Sequence, residues 1–209
     1  MSFKLTYNSL IRCLFFFTFF LCLSASGQKI IDVESEPFHK PIYETDEMIL
    51  INLQMDEGDT SLFHKHSSPI LYITVQGAEM WLDIADGTSK TVNLPDFWIG
   101  SDNYSEDDPF VHRIAVLDDG PLNLRAVIHK QGFPKQEIHD SEEFIFSENG
   151  FAVKMDSTIH HQNRSEKINI ILSGQAELKS EILEPGDYFL PGQLINNASK
   201  NFRYCAVFF

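Results

Sequence analysis

The feature that most constrains this chain is a succession of short β-forming runs separated by turn residues. "MILINLQM", "ILYITVQG", "EMWLDIA", "FVHRIAVL" and "LNLRAVIH" alternate or run apolar, and are rich in β-branched and aromatic residues. Between them lie Glu57-Gly58-Asp59, Asp86-Gly87 and Asp119-Gly120-Pro121, which favour tight turns. No segment sustains a 3.6-residue apolar period over helical length. The pattern predicts an all-β protein, a sandwich or a barrel.

The first residues have a different character. "MSFKLTYNSLIRCLFFFTFFLCLSASGQ" places Lys4 and Arg12 ahead of an apolar run, Leu14 to Leu23, which small residues from Ser24 to Gly27 follow. That order predicts a secretory signal peptide over residues 1–27, cleaved after Gly27 with Ala25 at the −3 position. The run falls short of the ~20 residues of a spanning helix, so no stable membrane anchor is expected. A lipoprotein site at Cys22 is disfavoured by Leu21, where a small residue should stand. The protein is therefore expected in the periplasm or outside the cell. Cleavage removes Cys13 and Cys22 and leaves Cys205 alone, so no internal disulfide is expected. It also leaves fourteen basic against thirty acidic side chains, a net charge of −16. Such a balance disfavours nucleic acid and anionic membranes as partners and leaves small molecules open.

An internal repeat divides the remainder. "ILYITVQGAEMWL" and "INIILSGQAELKS" share an apolar strand, a glycine turn and an Ala-Glu pair. Aligning Gly77 with Gly174 sets an offset of 97 and brings "LPDFWIG" near "EPGDYFLPG". Two tandem β-units are predicted, residues 28–137 and 138–209. The second is short, and is expected to borrow strands from residues 28–50 to close.

Chemistry concentrates in "LFHKHSSP". Along a strand, residues i and i+2 share a face, so His64 and His66 project together with Lys65 turned away. Paired imidazoles on one inward face can chelate a divalent metal. His112, in mid-strand among apolar residues, is the candidate third ligand. His129 either lines a cavity or is structural, and His39 and His139, in polar stretches, are expected to be exposed.

These residues resemble the cupin superfamily, whose first motif runs G-(X)5-H-X-H-(X)3,4-E-(X)6-G. Gly58, His64, His66 and Gly77 fit that spacing, but Ile70 stands at the glutamate position. The second motif is matched more loosely by "NLPDFWIG", an acidic stretch "SDNYSEDDPF" that lengthens the loop, and then His112. The likeness covers most of residues 45–130 and is faint over 138–209. It implies a double-stranded β-helix (jelly-roll) barrel holding Fe2+, Mn2+ or Zn2+ through His64, His66 and His112. The second cupin unit is degenerate, because His161-Gln162-Asn163 replaces the two histidines and Asn196 stands near a third ligand position. That unit is expected to be structural or to form a homodimer surface.

Three neutral imidazoles leave the full 2+ charge on the metal, which favours an anionic chelating substrate and acidifies bound water. Tyr72 shares a face with Ile70 and is the candidate catalytic donor to a bound substrate. Gln76, Trp81 and Trp98 are candidates to shape the cavity. Loop 101–108, with Asp102, Glu106, Asp107 and Asp108, reads as a solvated acidic loop, a lid or a calcium site. The resemblance implies a metal-dependent dioxygenase of the quercetin- or diketone-cleaving kind. A non-catalytic binder of a sugar or sugar acid and a zinc lyase or isomerase are the alternatives.

Overall fold

The structure, a computed structural model, describes residues 29–117, 120–130, 143–157, 166–193 and 195–209. The expected signal peptide, His139, His160, His161 and Asn163 lie outside the described residues.

Ten strands carry the first part of the chain: β1 (Ile31–Asp32), β2 (His39–Glu44), β3 (Met48–Met55), β4 (His64–His66), β5 (Pro69–Gln76), β6 (Ala78–Ile84), β7 (Ser89–Leu94), β8 (Ile99–Asn103), β9 (Phe110–Val116) and β10 (Leu122–His129). They form two five-stranded sheets, β1-β4-β9-β6-β7 and β2-β3-β10-β5-β8. Eight strands follow: β11 (Phe146–Glu148), β12 (Phe151–Asp156), β13 (Ile168–Ser173), β14 (Ala176–Leu178), β15 (Glu181–Leu183), β16 (Tyr188–Phe189), β17 (Ile195–Ala198) and β18 (Arg203–Phe208). These make a third sheet, β11-β12-β18-β13-β16, and a fourth, β15-β14-β17.

The four sheets stack in that order, with an apolar core in each gap. Leu53, Ile70, Met80, Leu82, Ile114 and Leu124 meet between the first and second sheets. Leu50, Leu71, Ile73 and Val127 of the second sheet meet Val153, Ile168, Ile170 and Val207 of the third. Ile171, Phe189 and Phe202 face Ala176 and Ile195 of the fourth. The second sheet is thus covered on both faces. That explains why β3, β5 and β10 read as near-continuous apolar runs rather than as alternating strands. On β5 and β10 the even residues fill the barrel and the odd ones face the joint with the third sheet, whereas on β3 the odd residues fill the barrel and the even ones the joint; Leu71 and Ile73 have no exposed surface. Burying side chains of this size contributes roughly 1.5–3 kcal/mol each.

Arg125 is a polar residue buried beside that joint and is only 6% exposed. Its Nε–H donates to Gly186 O at 2.6 Å, and its Nη1 donates to Asn52 Oδ1 at 2.6 Å and Asn123 Oδ1 at 2.7 Å. Burial lowers the guanidinium to about 10, with the Asp187 carboxylate opposing that trend.

The third sheet repeats the second, with β11, β12, β18, β13 and β16 in the places of β2, β3, β10, β5 and β8. The repeat carries into the backbone, with the offset of 97 kept between Thr74 and Ile171 and shortened to 89 between Phe97 and Gly186. Thr74 N–H donates to Trp98 O and Phe97 N–H to Thr74 O, just as Ile171 N–H donates to Asp187 O and Gly186 N–H to Ile171 O. Phe97 at φ 60° holds the left-handed position that Gly186 takes at 93°. Among the described residues, the expected borrowing of residues 28–50 by the second part does not occur. β1, β2 and β3 pair within the first two sheets, and β11 and β12 fill the corresponding places in the third.

Candidate metal centre

β4 places Lys65 outward, between Asp32 at 3.3 Å and Glu106 at 3.4 Å, and turns His64 and His66 into the barrel. β9 runs antiparallel beside it with His112 directly opposite His64. Their rings lie 4.5 Å apart, centroid to centroid, and His66 lies 5.0 Å from each of the two. All three side chains are buried. The structure therefore brings His64, His66 and His112 together at one point of the barrel wall.

A fourth imidazole joins them. His39, expected at the surface, is 5% exposed, and its ring lies 4.4 Å from that of His64. One ligand nitrogen from each of His39, His64 and His66 lies within 4.8 Å of the other two. The physical reason is local. His39 opens β2 in register with Leu53, which faces the barrel interior, and the chain before it folds a buried carboxylate back onto the ring. Glu36 accepts the His39 Nδ1–H at 2.7 Å, and the backbone N–H groups of Phe38 at 2.8 Å and Leu62 at 3.1 Å. Burial pushes the Glu36 carboxyl up, but the His39 and backbone hydrogen bonds together outweigh it and leave the group below the usual carboxylate range. A glutamate three residues ahead of His39 was the one signal of this arrangement in the sequence.

Neighbouring groups select the tautomers. His64 Nδ1–H donates to Leu62 O at 2.9 Å, which leaves the Nε2 lone pair facing the cluster. That nitrogen is buried with no hydrogen-bond partner, as are His66 Nδ1 and His112 Nδ1. Such orphaned atoms cost about 1–3 kcal/mol each. His66 Nε2 and His112 Nε2 are 2.9 Å apart. Two neutral imidazole nitrogens at that distance must share either a proton or a cation. Burial first, then the neighbouring His39, lowers His64 to about 4. Burial and neighbouring imidazoles hold His66 and His112 well below the ordinary histidine value. The fold thus keeps these rings neutral at neutral pH, the state that ligates metal.

The cluster closes one end of a cavity of about 430 Å³. Its wall is mostly aliphatic, with Leu53, Met80, Leu82, Leu94, Ile114 and Leu124 among its residues. Ile70 packs into the barrel core, and its cross-strand neighbour on β8 is Asp102, which reaches the cavity. Tyr72 lines the cavity with its ring 6.3 Å from that of His66. Tyr104, which sequence reasoning missed, lies 5.9 Å from His66 and stacks on Phe110, which stacks in turn on His112. Burial raises both phenols, and the nearby Asp102 carboxylate raises them further.

Other expected residues take different places. Trp98 lines the cavity, with its ring packed over Gly100. Trp81 does not: β6 turns Met80 and Leu82 inward, so Trp81 sits on the outer face, 42% exposed. Gln76, at the end of β5, is also exposed. His129 is buried in the joint, edge-on to Phe209 at 5.0 Å. Loop 101–108 is clasped to the residue that follows β4, because Glu106 accepts from Ser67 Oγ–H at 2.8 Å. Among the described residues its carboxylates do not gather into a cation site. Asn196 is exposed and donates to Lys179 O at 3.0 Å, so it faces no cavity.

Two interleaved five-stranded sheets closing over a core with an inward histidine cluster define a cupin-type double-stranded β-helix barrel with a candidate metal site. Several solved structures similar to this chain bear the cupin name. A cupin 2 conserved barrel domain protein from Leptotrichia buccalis is 11% identical, over 90% of this chain and 93% of its own, with a TM-score of 0.48. A cupin domain from Bordetella pertussis is 13% identical, over 44% of this chain and 91% of its own, at 0.39. An RmlC-like cupin family protein from Methanocaldococcus jannaschii is 15% identical, over 44% and 77%, at 0.36. No family model matches the sequence, and no curated protein matches it. The fold assignment rests on the strand order and core of the chain itself.

Proposed function

We propose that this is an exported, metal-dependent dioxygenase acting on a small, largely apolar molecule that can chelate a metal, such as a β-diketone or a flavonol. The observation that carries the reading is the neutral histidine cluster opening onto an aliphatic cavity of about 430 Å³. That size suits a small organic ligand.

His64, His66 and His112 would hold the ion, with His39 beside them. A redox-active ion such as iron(II) would supply the electron transfer that dioxygen chemistry requires. The protein's own work is positional. The aliphatic wall excludes water and orients the apolar body of the substrate. The Tyr72 phenol, raised by burial, stays protonated and donates its O–H to a substrate oxygen. Tyr104 and Asp102 give that donor a polar second contact.

The sugar-binding alternative needs a wall rich in hydrogen-bonding groups, and the aliphatic lining argues against it. The test is oxygen uptake by protein reconstituted anaerobically with iron(II), manganese or zinc, against a panel of β-diketones and flavonols. Uptake with iron or manganese that is lost in His66→Ala and His112→Ala is expected. Saturable ligand binding with no uptake under any ion would make the protein a binding module instead.

A further inference from the structure

Glu36 is the most completely bonded buried carboxylate near the cluster, and the proposed reaction makes no use of it. It is 2% exposed, and both of its oxygens are engaged. Oε2 accepts from His39 Nδ1–H at 2.7 Å, Phe38 N–H at 2.8 Å and His39 N–H at 3.2 Å; Oε1 accepts from Leu62 N–H at 3.1 Å. The Leu62 peptide then continues the chain, because its carbonyl accepts from His64 Nδ1–H at 2.9 Å. One carboxylate therefore addresses two imidazoles, His39 directly and His64 through a single peptide. In both rings Nδ1 is committed as a donor and Nε2 is left as the lone-pair nitrogen.

We infer that Glu36 is a positioning residue that makes His39 the fourth imidazole of the metal centre. This rests on the metal reading above and goes beyond it. The carboxylate absent at Ile70 is replaced by one set behind a histidine. Four neutral imidazoles with Glu36 behind them leave a net charge of +1 on the assembly, the same as three imidazoles and one direct carboxylate. A carboxylate hydrogen-bonded to a ligating histidine makes that ring a better donor and fixes its orientation, and losing such a partner costs about 10- to 100-fold in metal affinity. A purely structural Glu36 would close the turn before β2 and leave metal affinity unchanged.

The test uses the whole protein and copper(II) and cobalt(II) alone as probes. Glu36→Gln keeps the side chain's shape but removes its charge and much of its accepting capacity. It is expected to weaken cobalt affinity about 10- to 100-fold. His39→Gln keeps a donor for Glu36 and so covers the case in which Glu36→Gln does not fold. It is expected to remove one nitrogen from the hyperfine pattern of bound copper and to weaken affinity by a similar factor. Ile171→Val, in the core between the third and fourth sheets, is the control for lost stability and should leave affinity unchanged. Cobalt affinity within twofold of the natural protein in both Glu variant and His variant, with an unaltered copper spectrum, would overturn the inference and leave the metal reading standing. Failure of the natural protein to bind either ion would remove both.

Discussion

Removing metal from this barrel should make it acid-sensitive in a window set by His64. Its folded value is about 4, against an ordinary 6.5, chiefly because of burial. Between those values the unfolded chain binds a proton that the folded chain refuses, so stability falls as pH falls. Near pH 7.5 both states are neutral and nothing is lost. Each pH unit traversed below the unfolded value removes about 1.4 kcal/mol, so His64 alone accounts for about 2 kcal/mol by pH 5 and about 3 kcal/mol by pH 4. His66 and His112 act in the same direction. The assay is urea denaturation of chelator-treated protein at about pH 7.5 and about pH 5, above the range where most carboxylates titrate. His64→Gln should recover about 2 kcal/mol of the difference. Saturating metal at about a hundred times its Kd should add ~2.7 kcal/mol at the higher pH. Equal stability at the two pH values, or the same loss in His64→Gln, would refute the view that burial holds this imidazole neutral.

Three further outcomes follow from named contacts. Arg125→Met leaves Gly186 O and two asparagine carbonyls without their donor in a buried joint. It should cost about 2–4 kcal/mol in urea denaturation. Ile70→Glu puts a carboxylate into the barrel core, so the metal-free protein should lose several kcal/mol, and thermal melts should show metal restoring more stability than in the natural protein. Tyr72→Phe removes only the phenol oxygen. Turnover should fall at least about 100-fold with little change in KM, and the melting temperature should hold.

The strands were legible because β-branched and aromatic runs between turn residues leave few alternatives, and His64 and His66 were legible because a two-residue spacing fixes their face, with His112 legible because it stands in mid-strand among apolar residues. What stayed hidden depends on contacts between distant segments. β3, β5 and β10 read as strands, but nothing in them says that Leu71 faces another sheet while Ile70 faces the barrel. His39 sits between Pro37 and Pro41 in a polar stretch with no alternation to reveal its face. Its burial depends on Glu36 meeting the Leu62 amide, 26 residues away. Trp81 was misread for the opposite reason. Its size suggested a cavity wall, whereas Met80 and Leu82 on either side of it carry the inward face. Tyr104 was lost in an acidic loop whose charge drew attention away from its one aromatic ring.

The central claim is that one ion is held by imidazoles from β2, β4 and β9, and X-ray absorption at the edge of the metal that co-purifies with the protein tests it most directly. The account predicts about one ion per chain, nitrogen neighbours at roughly 2.0–2.2 Å with the outer scattering of imidazole, and loss of the ion in a His66→Ala/His112→Ala double variant. A chain that carries less than about a tenth of an equivalent after metal loading, or an ion whose shell is unchanged by that double variant, would contradict it.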